Sequence, residues 1–60
     1  MSTATSRTEI FIVDDLPSMR ERLRELVADI DGIDVVGDAG TSTAAIEGIL
    51  RTDPDCVLLD

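Results

Sequence analysis

The chain has 60 residues, 13 acidic and five basic, for a net charge of -8 and no histidine. So small a chain buries only about 60% of the surface it exposes when unfolded, and its one cysteine and missing histidines leave neither an internal disulfide nor a Cys/His zinc site to staple it. The acidity opposes binding to nucleic acid or anionic lipid. A lone cysteine suits a reducing compartment, and the small polar start MSTATSRT reads as a flexible tail over residues 1–8 of a cytoplasmic protein, with no apolar run for a secretory signal or a membrane span.

The ordered part then runs from 9 to 60. Glu9–Val13, EIFIV, is apolar at successive positions, which predicts a strand buried on both faces as in a parallel sheet. Asp14 and Asp15 follow, and Pro17 stands where the first turn of a helix tolerates its missing N–H. Met19, Leu23, Leu26, Val27 and Ile30 recur at helical spacing and predict a core-facing stripe, with Gly32 as the stop. Arg20, Arg22 and Arg24 alternate with Glu21 and Glu25, the pattern of a solvated helix face.

Ile33–Val36 is a second strand candidate, and Gly37–Ser42 is rich in turn and capping residues. A helix from about Thr43 to Arg51 presents Ala45, Ile46, Ile49 and Leu50, with Gly48 costing it up to ~1 kcal/mol relative to alanine. Thr52, Asp53, Pro54 and Asp55 break that helix. Cys56–Leu59, CVLL, is again apolar and again ends in an acid, Asp60; Cys56 reads as a small core residue. The order β-α-β-α-β predicts an α/β fold with a parallel sheet and right-handed crossovers, in which the chain breaks off after the third strand.

In open parallel sheets ligands sit beyond the carboxyl ends of the strands, where strand order reverses. In a flavodoxin-like order, 2-1-3 onward, strands one and three are neighbours there, which gathers Asp14, Asp15 and Asp60. Like charges so placed repel, and a hard divalent cation with oxygen ligands relieves them; magnesium also takes phosphate oxygens, so the cluster points to phosphoryl chemistry with an aspartate as acceptor.

The segments IFIVDD, VVGDAG before a helix, and PDCVLLD together resemble successive signature segments of bacterial two-component response-regulator receiver domains, over essentially all of the chain after Thr8. The resemblance implies a flavodoxin-like doubly wound fold of which this is the N-terminal half. It also implies Asp60 as the residue phosphorylated by a sensor histidine kinase, with Asp15 binding Mg2+ directly, Asp14 acting mainly through water, and Asp60 sharing the metal site. It implies a switch and not an enzyme. The hydroxyl residue after strand four and the lysine after strand five that the family uses would lie past Asp60. VVGDAGT further resembles receivers of transcription factors with a C-terminal helix-turn-helix, so any DNA contact would belong to an absent output domain.

Other readings are weaker. A haloacid-dehalogenase-like phosphatase wants D-x-D after the first strand, which VDDLP lacks. Asp29 to Asp34 has its glycine misplaced for a calcium loop, and Gly37 and Gly40 belong to no phosphate-loop pattern, so they read as turn glycines. The 60-residue chain by itself would leave Ile10, Ile12, Val57 and Leu59 partly in water, and a purely structural half-domain would bury them by self-association through the open edge of its third strand.

Overall fold

The computed structural model describes residues 7–60, so the expected tail, apart from its last two residues, lies outside the described residues. The elements are β1 (Thr8–Val13), α1 (Pro17–Ala28), β2 (Ile33–Ala39), α2 (Ser42–Thr52) and β3 (Cys56–Leu59). All three strands are parallel, in the order β2-β1-β3. This is the expected β-α-β-α-β arrangement, the opening of a flavodoxin-like sheet.

β1 is the central strand because both neighbours bond to it, and its alternation divides the core. Phe11 packs with Ala39 of β2 and Ala45 of α2, with Val13 and Ile49 against them. Ile12 points to the opposite face, toward α1, and is fully buried. The helices therefore cover opposite faces, the doubly wound arrangement. Water does not reach Ile12, contrary to the sequence expectation, because α1 closes that face.

Two glycines make room for Phe11. A Cβ at Gly37 in β2 would lie 2.8 Å from the ring, and one at Gly48 in α2 would lie 2.5 Å from it. Gly37 is thus no turn residue, and Gly48 gives up helix propensity so that α2 can approach the sheet.

β2 runs three residues further than its sequence pattern suggests. Ile10 pairs with Val35 but Phe11 pairs with Gly37, so Val36 is an extra residue that breaks the ladder. Beyond it Asp38 faces α1 and Ala39 faces α2. The alternation is reset midway, which hides the second half of the strand from a search for one continuous pattern.

α1 stops at Ala28, with Asp29 as C-cap, so Ile30 falls outside the helix and Gly32, at φ 84°, serves a later turn. The apolar stripe is only partly used: no residue of α1 is buried, and Leu26 and Ile30 are each more than half exposed. α1 rests on β1 and β2, and its least exposed apolar residues are Leu23 and Val27. α2 begins one residue early, with Thr41 Oγ1 accepting from Ala44 N, and ends at Asp53 in the left-handed region (φ 48°). Asp55 then exchanges two 2.8 Å bonds with the backbone of Glu9, which aligns β3 on β1.

At β3 the expected exposure of Val57 and Leu59 is found, and the expectation that Cys56 is a core residue fails. All four of its residues are exposed, Cys56 included, because it is an edge strand whose outer side meets no other element among the described residues.

Candidate functional site

The carboxyl ends of β1 and β3 lie side by side. Val13 pairs with Leu59, and Asp60 N donates to Val13 O at 3.1 Å, so Asp14 and Asp60 follow one residue beyond the last paired position. On the other flank Asp14 N donates to Ala39 O at 3.1 Å, carrying β1 one bond further along β2. Asp14 thus sits at the crevice where the chain turns to opposite faces.

Local chemistry shapes the β1–α1 turn. Pro17 is the first helical residue, and it holds Leu16 extended (φ -97°, ψ 114°) because a residue before proline avoids the helical region. Leu16 has no side chain able to cap α1. Its own N–H is taken by Asp14 Oδ1 at 2.9 Å, an aspartate turn two residues long.

Asp14 is only 2% exposed, and its second oxygen, Oδ2, is buried with no hydrogen-bond partner. A bare carboxylate oxygen withdrawn from water is costly unless a donor or a cation meets it. Asp15 and Asp60 are exposed at the same edge. Among the described residues no three acidic or thiol side chains are drawn together into a group that holds an ion as it stands. The oxygen donors suit a hard cation in kind, and the orphaned Oδ2 is the structural observation in favour of one.

Sequence reasoning missed a cation at this edge. Arg20 is not merely part of a solvated face: its side chain is 21% exposed, its Nη1 donates to Asp14 O at 2.8 Å, and its Nε lies 3.3 Å from Asp38 Oδ1. Arg24 holds the other oxygen of Asp38. The signal was hidden because Asp38 lies past the Val36 bulge, in a segment that reads as a turn.

Comparison with known proteins adds an independent line. The chain is 42% identical over 52 residues to the nitrate/nitrite response regulator protein NarP of Escherichia coli, covering 87% of this chain and 24% of that protein. A nitrate/nitrite response regulator protein homolog of Haemophilus influenzae is 35% identical over 54 residues, 90% of this chain and 26% of that protein. The chain belongs to the response-regulator receiver family. A second kind of relative, a protein-glutamate methylesterase/protein-glutamine glutaminase of Anaeromyxobacter dehalogenans, is 38% identical over 58 residues, 97% of this receiver chain and 16% of that protein. The chain therefore spans about a quarter or less of the length of these relatives. No family profile and no solved structure matches it. Among the described residues no helix is long and apolar enough to cross a membrane.

Proposed function

We propose that the protein is a phosphoacceptor switch of a two-component system, with Asp60 taking a phosphoryl group from the phosphohistidine of a sensor kinase and Asp14, Asp15 and Asp60 holding Mg2+. The observation that carries this reading is the buried, unpartnered Oδ2 of Asp14 at the edge where β1 and β3 end together in acids. Bound magnesium would supply charge neutralisation for the phosphoryl oxygens.

The chain's residues divide the remaining work. Asp60, exposed at the end of β3, presents a carboxylate oxygen that attacks phosphorus; a P–O bond forms as the donor's P–N bond breaks, and the histidine keeps the electron pair and takes up a proton. Asp14, tied at Oδ1 by Leu16 N, keeps Oδ2 for the cation side. Asp15, next along the turn and open to solvent, offers a second carboxylate. Each phosphoryl group modifies the protein once, so this is a switch and not an enzyme.

The same reading places the protein in the cytoplasm, where kinases use ATP, and gives the full-length protein an output domain. The nitrate/nitrite regulators among its relatives favour transcription control through DNA contacts made outside this chain. The test is intact-protein mass spectrometry of the full-length protein after treatment with a small phosphodonor and Mg2+. One phosphoryl group is expected on wild type and none on Asp60→Asn; equal labelling of both would overturn the assignment.

A further inference from the structure

Arg20 occupies a position that ordinary helix physics discourages. It lies in the first turn of α1, where the macrodipole is positive and a cation is unfavourable, and most of its side chain is withdrawn from water. Three features of the surrounding chain compensate. Asp14 O accepts from Nη1 at 2.8 Å, Asp38 Oδ1 faces Nε at 3.3 Å, and Gly40 leaves open the space the guanidinium fills, since a Cβ there would lie 2.5 Å from Nη1 and 3.2 Å from Cζ.

One side chain thus ties the end of β1, the end of β2 and the start of α1 together. For Asp14 the outcome is specific. Its N–H is held by Ala39 O, its carbonyl by Arg20, and one carboxylate oxygen by Leu16 N, which leaves Oδ2 as its one polar atom without a partner.

We infer that Arg20 is a positioning residue for the cation site, fixing the tilt of the Asp14 peptide, with Gly40 as the slot that admits it. The inference rests on the reading of this edge as a magnesium site. Arg20 does not touch the ion; it orients a residue that does. Two effects with opposite signs separate this role from a plain electrostatic one. Removing a nearby positive charge favours a bound cation, whereas releasing Asp14 from its fixed orientation disfavours it.

The test is magnesium titration of the full-length protein by calorimetry, with backbone amide spectra of Asp14, Asp15 and Leu16, on wild type, Arg20→Met, Arg20→Lys and Gly40→Ala. Lysine keeps the charge but, as a single point donor, does not span Asp14 O and Asp38 as a guanidinium does. All three variants are expected to bind magnesium at least about tenfold more weakly, the usual effect of losing a group that orients a metal ligand. Their three amide signals should shift even without metal, and Arg20→Met/Gly40→Ala together should cost little more than either alone. Tighter binding by Arg20→Met with Arg20→Lys unchanged would make Arg20 only a local charge and overturn the proposal. Lower melting temperatures with unchanged magnesium affinity would make it only a structural tie, and would overturn it equally. A wild-type protein that binds no magnesium would instead remove the underlying reading of the edge.

Discussion

β1 and β3 are nearly the same object as sequence and opposite objects as structure. EIFIV and CVLL are both apolar runs ending in aspartate, both parallel, and paired position for position from Ile10↔Cys56 to Val13↔Leu59. Yet β1 holds Phe11 and Ile12, with Asp14 just past its end, at 2% exposure or less, while Leu59 is 77% exposed and its whole strand lies open. Composition makes a strand fit for burial, but its place in the sheet order decides whether burial happens.

The contrast is sharpest for large-to-small substitutions in the isolated 60-residue chain. Phe11→Ala should cost ~3–5 kcal/mol by urea unfolding followed by circular dichroism, enough to abolish the fold of so small a chain, whereas Leu59→Ala should change stability by less than ~0.5 kcal/mol. Similar losses at both would show that β3 is covered in solution.

The glycines beside Phe11 test the same centre from the other direction. Alanine usually gains up to ~1 kcal/mol over glycine inside a helix. Gly48→Ala should instead lose ~1–3 kcal/mol, because the buried ring has no free space into which to retreat. A stabilised Gly48→Ala would mean that Phe11 packs more loosely than its 2% exposure indicates.

β3 should reveal itself through association. Its outer edge, unpaired among the described residues and with Val57 at 43% and Leu59 at 77% exposure, invites pairing with a second copy of the chain, and the charge of -8 opposes it. Sedimentation should therefore show association rising with salt as that repulsion is screened, and Leu59→Lys should suppress it with little change in stability. A monomer at every salt concentration would break the comparison on the β3 side.

The smallest effect sits at the start of β1. The Arg7 Nε hydrogen bond, 2.8 Å long, holds the Asp34 carboxyl below its usual range, with desolvation opposing and the Arg7 charge adding to the lowering. A folded-state value below the unfolded one near ~3.9 means that the pair's contribution is present above that pH and is lost as pH falls through the folded value. Both side chains are about half exposed, so the contribution is slight and salt-sensitive. Melts of wild type and Asp34→Asn should differ a little at neutral pH and coincide in acid; a difference that grows on acidification would contradict the assignment.

Much of this was legible beforehand because the signals are local. The apolar runs, Pro17 at a helix start and the 52–55 breaker mark the elements, and acids at two strand ends mark the edge. What escaped needed partners distant in sequence. Gly37 and Gly48 acquire meaning only around Phe11, 26 and 37 positions away in the chain. Arg20 looked solvated because Asp38 sits in a stretch read as a turn, and the exposure of Cys56 depends on strand order, which hydrophobicity along one strand does not encode.

The extra residue in β2 bears on how the length of this chain can vary among its relatives. Val36 stands outside the pairing, between the position opposite Ile10 and the position opposite Phe11. An in-frame loss of its codon would leave every β1–β2 partner in place and straighten the ladder, with Asp38 still toward Arg20 and Ala39 still in the core. Val35 and Val36 are identical, so loss of either codon gives the same chain, whereas loss of Gly37 would set Val36 opposite Phe11, where a Cβ would lie 2.8 Å from the ring. The Val35–Val36 step is therefore a place inside a strand where the chain can be one residue shorter without changing which side chains face the core.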